Sequence, residues 1–190
     1  MRFKVFLIFL ALFSTFEVHS QCLTEFTKLV PSPSVDYTLD FGRSISLFDD
    51  FLAVGIPNSD TLGRVSGLVQ LFKKNDNEWA HTAYVVPPEP LDGLQFGVSA
   101  KLSKDYLLIG AAGYGGKVYV FKKTDENWSG VTHLATLTYP GTQLFGVGYG
   151  SANPIEISSD QQTIIISDVF FLNLSEFPTR SGALFIYHKE

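Results

Sequence analysis

Cysteine is nearly missing. Cys22 is the only one in 190 residues, so no disulfide can form within the chain and packing must hold the fold. A bilayer-spanning helix needs roughly 20 apolar residues, and the longest apolar run, Val5 to Phe16, has twelve. Charge is scarce at 17% and tips acidic, with a formal net charge of −5, which argues against nucleic acid or anionic lipid as a partner. No segment sustains a 3.6-residue apolar period, so amphipathic helices are not expected. Gly-x-Ser-x-Gly, His-Glu-x-x-His and phosphate-loop patterns are also missing. His19, His81, His133 and His188 stand apart, none with a companion at metal-ligand spacing. The glycines of 110–116 and Gly146, Gly148 and Gly150 have no helix pattern after them and read as strand turns.

The N-terminus has a pattern of its own: basic Arg2 and Lys4, the apolar run, then Val18-His19-Ser20 with a small residue before the expected cut. This is the layout of a secretory signal peptide over 1–20 and predicts a secreted or cell-surface protein. Arg2, Lys4 and Glu17 would leave with it, so the remaining 170 residues carry 12 basic and 18 acidic side chains. Cys22 would then lie at the mature N-terminus as an unpaired thiol, an interchain bridge or a lipid attachment, although Gln21 stands where a lipoprotein signal needs a small residue.

The rest of the chain repeats. One unit runs Phe41-Gly42, Phe51-Leu52-Ala53-Val54-Gly55-Ile56-Pro57, Gly67-Leu68-Val69-Gln70-Leu71-Phe72 and Trp79. The second runs Phe96-Gly97, Tyr106 to Ala112, Gly116 to Phe121 and Trp128. The third has Phe145-Gly146, Thr163 to Asp168 and Gly182 to Tyr187, with no Trp after it. Phe41 to Phe96 is a step of 55, and Phe96 to Phe145, Trp79 to Trp128 and Gly67 to Gly116 are each steps of 49. Short β-branched and aromatic runs separated by turn residues predict all-β units, each a four-stranded meander, over about 41–95, 96–144 and 145–190. Leu107-Leu108-Ile109 and Ile164-Ile165-Ile166 are continuous apolar runs and predict strands buried on both faces. A four-stranded sheet covered by copies of itself predicts propeller-type blades.

The Phe-Gly pairs followed by Val54-Gly55-Ile56-Pro57 and Ile109-Gly110-Ala111-Ala112 resemble the FG-GAP repeat of integrin-α-like β-propellers, with a degenerate third copy at Ile166-Ser167-Asp168-Val169. The resemblance implies a β-propeller and cell adhesion, and in many such proteins a calcium loop ahead of the second strand. The corresponding turns here hold only Phe48-Asp49-Asp50, Ser103-Lys104-Asp105 and Ser158-Ser159-Asp160-Gln161. Calcium takes six to eight oxygens, so these acids read as turn residues and no cofactor is expected. Propellers close with ~4–8 blades, and three copies leave the ring open. Residues 23–31 are a candidate closing strand for the third unit. An incomplete propeller of three units, a homodimer that completes the ring and a fragment of a larger FG-GAP protein all remain open.

The connections between second and third strands, Asn58 to Ser66, Ala112 to Gly115 and Phe170 to Ser181, differ in length and content while the strands repeat. Repeat proteins put recognition in such loops, and the resemblance puts this side toward partners. The candidate partner-binding residues are Asn58, Ser59, Asp60, Tyr114 and Glu176, for an extracellular protein or glycan ligand. Asn127-Trp128-Ser129 and Asn173-Leu174-Ser175 are sequons, which makes Asn127 and Asn173 candidate glycosylation sites of a glycoprotein. The competing class is a propeller-fold enzyme. Against it, Arg43-Ser44-Ile45-Ser46, Val98-Ser99-Ala100-Lys101 and Val147-Gly148-Tyr149, the expected innermost strands, offer no acid.

Overall fold

The computed structural model describes residues 27–31, 40–76, 78–138, 155–168, 172–173, 179–180 and 182–189. Among these the chain is all-β, in three antiparallel, blade-like sheets. Sheet 1 is β1 (Ser44–Phe48), β2 (Phe51–Ile56), β3 (Leu68–Asn75) and β4 (Glu78–Val85), in that order. Sheet 2 repeats the order with β5 (Phe96–Leu102), β6 (Tyr106–Ala111), β7 (Lys117–Lys123) and β8 (Val131–Leu137). Sheet 3 has three strands, β9 (Ile155–Ile157), β10 (Thr163–Asp168) and β13 (Ala183–His188). The small ladder of β11 (Leu172–Asn173) and β12 (Thr179–Arg180) falls between β10 and β13. The signal segment 1–20, Cys22, Phe145-Gly146 and Glu176 lie outside the described residues. Of the candidate closing strand 23–31, residues 27–31 carry no regular secondary structure, and 23–26 lie outside the described residues.

Ladder register gives the true alignment of the units. Leu47 faces Leu52, Leu102 faces Leu107 and Ile157 faces Ile164 across the first hairpin of each sheet. The third-to-fourth-strand ladders of sheets 1 and 2 slip at equivalent places, Leu71/Phe72 and Val120/Phe121. Gly67 and Gly116 also correspond, both at positive φ just ahead of the third strand. Two landmarks shift. Phe72 faces His81 and Phe121 faces His133, so Trp79 of β4 corresponds to Val131, which leaves Trp128 in the longer β7–β8 turn. Phe41 and Phe96 stand six residues before Leu47 and Leu102, whereas Phe145 stands twelve before Ile157. Among the described residues the strand that pairs with β10 on this side is β9, and it carries an acid, Glu156; the expected strand at 147–149 lies outside the described residues.

The sheets stack in sequence order, each on the same side of the next. The back of sheet 1, with Ala53, Val69, Leu71, Ala83 and Val85, packs on the front of sheet 2. There it meets Phe96, Leu102, Leu107, Ile109, Tyr119 and Phe121. The back of sheet 2, with Leu108 and Val118, packs on the front of sheet 3 at Ile155 and Ile166. Sheet 2 is thus covered on both sides, and residues 107–111 are buried without a break, as the apolar run predicts. Sheet 3 departs from that expectation: Ile164 and Ile165 are only half-buried. Among the described residues no sheet covers its back, where Leu184 is 67% and Ile186 is 57% exposed.

Backbone meets backbone at the seam between sheets 1 and 2. A methyl group added at Gly55 of β2 would fall onto the Gly97 carbonyl oxygen of β5. Gly97 itself has φ +94, a conformation open to glycine at no steric cost. That close approach lets the Ser44 hydroxyl donate to the Gly97 carbonyl at 2.8 Å and the Leu102 N–H donate to Ser46 Oγ at 2.9 Å. Phe96, fully buried, meets Tyr119 at 5.3 Å and Phe121 at 6.0 Å between ring centroids, both edge-on. Full burial of such a ring is worth about 1.5–3 kcal/mol. The Phe-Gly pair therefore combines an aromatic wedge with a point of backbone contact. The second seam is clasped by side chains. Lys101 Nζ and Glu156 Oε2 pair at 2.7 Å, and Gln161 accepts from the Asp105 N–H at 2.9 Å and donates to Asp105 Oδ2 at 3.0 Å. Gln161 chiefly, with Lys123 and Lys104, holds the Asp105 carboxyl below its ordinary pKa.

Gly55→Ala is expected to lower stability by about 1–3 kcal/mol through overpacking at this seam, read from urea unfolding; an unchanged midpoint would mean that the two backbones are farther apart. His81 gives a second expectation. Its ring stands 5.7 Å from Phe72 and 4.3 Å from Tyr84, and burial, partly offset by a backbone hydrogen bond at Ala83, holds its pKa below 6.5. The unfolded chain then takes the proton first, so His81 costs nothing above about pH 6.5 and stability falls as pH drops below that value toward the lower folded pKa. Unfolding curves at pH 7.5 and 5.5 should differ less in His81→Leu than in the unaltered protein.

Candidate functional site

Three connections meet on one side of sheets 1 and 2: the β2–β3 loop (57–67), the β4–β5 link (86–95) and the β6–β7 loop (112–116). They are tied by backbone. The Gly93 N–H donates to the Arg64 carbonyl at 2.7 Å, Gln95 to Val65 at 3.0 Å, Phe96 to Ser66 at 3.0 Å and Gly113 to Leu94 at 2.9 Å. Backbone pairing between loops in this number makes a ledge instead of independent mobile turns.

Asp92 joins the pieces. Its Oδ1 accepts from the Arg64 N–H at 2.9 Å, and its carbonyl accepts from the Tyr114 hydroxyl at 2.7 Å. Asp60 Oδ1 accepts from the Val65 N–H at 2.6 Å, which closes the 60–65 turn on itself. Beside them Arg64, Val65, Asp92, Gly93 and Gln95 line a shallow cleft of about 480 Å³. The aspartates at 60 and 92 each spend a carboxylate oxygen on a backbone N–H group of the β2–β3 loop.

The ledge is also strained. Val65 (φ 54), Gln95 (φ 56) and Tyr114 (φ 52) all occupy the left-handed region. For a β-branched residue such as Val65 this is a true outlier, and such conformations cost about 1–3 kcal/mol each. Elsewhere the region holds Asp40, Asp49 and Asp76, and aspartate tolerates it in tight turns, together with Trp128 in the β7–β8 turn and Gln161 in the β9–β10 turn.

The sequence-derived residues are placed as follows. Asn58 is half-buried and its Nδ2 donates to Asp40 Oδ2 at 2.7 Å. Ser59 is buried and spends its hydroxyl on Thr61 Oγ1 at 2.8 Å, so it shapes the loop from within. Asp60 is exposed. Tyr114, on the 3₁₀ turn Gly113–Gly115, is 59% exposed and belongs to the same ledge through Asp92. Asn127 is exposed in the β7–β8 turn, where its Oδ1 accepts from Lys73 Nζ at 2.8 Å. Asn173 lies in β11. The aspartates 49, 50, 105 and 160 all stand in strand-to-strand turns. Among the described residues, no three His, Cys, Asp or Glu side chains come together.

Sequence reasoning missed Arg64, Asp92 and Gln95. Asp92-Gly93 signals a turn, but nothing in the sequence says that this turn reaches Arg64 and Tyr114, 28 and 22 residues away. No family profile matches the chain, and no curated protein does.

Asp92→Ala is expected to free the Arg64 amide and loosen the β2–β3 loop while leaving the sheets intact. Amide hydrogen exchange at residue 64 should speed up about tenfold, the worth of one such bond, with the melting temperature within about 2 °C of the unaltered protein.

Proposed function

We propose that this chain is a secreted or cell-surface recognition module, glycosylated at Asn127, Asn173 or both, that binds an extracellular protein or glycan through the ledge on sheets 1 and 2 without chemistry. The observation that carries this reading is the grouping in the ledge of three of the five non-glycine, non-aspartate residues at positive φ among the described residues, Trp128 and Gln161 being the other two. Three non-glycine residues held left-handed where three connections meet are maintained against a cost that turn-forming aspartates would avoid. Strain of this kind clusters at binding and switch sites. The ledge presents what a recognition surface needs: the exposed Tyr114 ring, exposed Leu62 and the exposed Arg64 chain beside a cleft. Aromatic and arginine side chains dominate binding energy at interfaces.

The finer architectural reading belongs to the same proposal. The sheets are blades of an FG-GAP-type β-propeller, and the ledge is its partner-facing side. Support comes from the Phe-Gly pairs, from the matching register of sheets 1 and 2, and from stacking in which each sheet covers the next in the same sense. The layout of residues 1–20 supports secretion.

The test uses Leu62 and Arg64, whose side chains are exposed. Leu62→Ala and Arg64→Ala together should abolish binding to an immobilised panel of matrix proteins and glycans, with unfolding unchanged. If the unaltered protein binds no member of the panel, or the double variant binds as well as it does, the recognition reading fails.

A further inference from the structure

The stack of sheets has two unlike ends. At one, the front of sheet 1 exposes Ile45 (58%) and Leu47 (64%) on β1. At the other, the back of sheet 3 exposes Leu184 and Ile186 on β13. Inside the chain these two kinds of face meet twice. The back of sheet 1 covers Ala100 and Leu102, the residues of sheet 2 that correspond to Ile45 and Leu47. The back of sheet 2 covers Ile155 and Ile157, which correspond to them in sheet 3.

The outer edge of β13 is open as well. Sheets 1 and 2 carry β4 and β8 there, paired through Phe72 with His81 and Phe121 with His133. Tyr187 is the matching residue of β13, and among the described residues no strand pairs with that edge. Beside it lies a cavity of about 260 Å³ lined by Leu134, Leu137, Ile157, Ile164 and Tyr187. The Tyr187 hydroxyl is buried with no hydrogen-bond partner among the described residues.

Residues 27–31 belong to no sheet, and Val30 is 60% exposed. Leu29-Val30-Pro31 stands ahead of Phe41 much as Val85-Val86-Pro87, the end of β4 and its exit, stands ahead of Phe96. In the link 86–95 the outer strand of one sheet leads to the inner strand of the next. By the same connection, 27–31 leads into β1 from a sheet that lies on the front of sheet 1. That front points away from the chain's own sheet 3, because sheet 2 stands between them.

We infer that two copies of this chain close on each other head to tail. The Leu184 and Ile186 face of sheet 3 in one copy stacks on the Ile45 and Leu47 face of sheet 1 in the other, and residues 27–31 of that second copy add as a strand to the open edge of β13. Matching Pro31 to Pro87 sets Leu29 in the place of Val85, opposite Leu184. Two copies bring six sheets, inside the ~4–8 that a closed ring of such sheets takes, and a contact between unlike faces closes when its rotation returns to the start. The inference rests on the sheet faces and not on the ledge, so loss of ligand binding leaves it standing.

The test is a cross-link across the new strand pair. Directly opposed residues bring their Cβ atoms to about 4.5–5.5 Å, within reach of a disulfide after slight adjustment. In a Cys22→Ser background, a chain carrying Leu29→Cys is mixed with one carrying Leu184→Cys and oxidised. The expected product is a covalent heterodimer, with the unaltered protein sedimenting at twice the chain mass. Ile186→Asp should weaken the dimer about 100-fold, as loss of a central apolar contact does, while its far-ultraviolet circular dichroism stays that of a β protein. A folded monomer at micromolar concentration, a dimer that fails to cross-link, or a dimer indifferent to Ile186→Asp would each overturn the inference.

Discussion

The fold depends on how closely two backbones approach at Gly55 and Gly97. Sheets that pack through large side chains alone stand about 10 Å apart. Here an inner corner comes much closer, because neither glycine carries a Cβ. That approach brings Ser44 and Ser46 of β1 within hydrogen-bonding reach of β5, while the wedge of Phe96, Tyr119 and Phe121 fills the space farther out. Small residues inside and aromatic ones outside give the interface a taper. The taper makes one sheet cover the next in a fixed sense.

The same approach positions the ledge. Gly67 pairs with Phe96 in a parallel bridge, so the end of the β2–β3 loop is fastened to the start of sheet 2 where the two sheets are closest. Hydrogen bonds from Gly93, Gln95 and Phe96 continue that attachment outward, and they hold Val65 and Gln95 at a positive φ that neither would adopt alone. The candidate site is therefore an extension of the sheet-to-sheet seam, kept rigid by the packing beneath it.

Between sheets 2 and 3 the means differ. Gly110 still faces Ser99 in the ladder, but the neighbouring sheet presents Ile155 near it in place of glycine backbone. The work passes to the Lys101–Glu156 ion pair and the Gln161–Asp105 clasp. Exposed ion pairs contribute little, about 0–1 kcal/mol, so apolar contact at Ile155 and Ile166 dominates this seam. The weaker covering of sheet 3 follows from its position at the end of the stack.

Local signals were enough for much of the architecture. β-branched and aromatic runs bounded by turn residues gave the strands, the Phe-Gly pairs and the glycine near the end of the second strand in two of the units gave the repeat, and the unbroken run at Leu107 to Ile109 foretold a strand buried on both sides. Tyr114 and Asp60 could be singled out because unequal loops between repeating strands are visible in the sequence. Register was beyond its reach. The step of 49 between Trp79 and Trp128 looks like a period, yet turns of unequal length put these two residues at unlike places. Cross-strand pairing, not spacing from the tryptophans, sets His81 opposite Phe72 and His133 opposite Phe121, and puts β9 beside β10 in the third sheet. The junction of Arg64, Asp92 and Tyr114 was hidden for the same reason: it is made of backbone groups brought together by the stacking of two sheets, and backbone groups are alike in every residue. The sequence by itself determined which segments become strands and where the chain turns, because those depend on neighbours along the chain. The tertiary structure alone decided which turns meet, because that depends on how closely two sheets can approach.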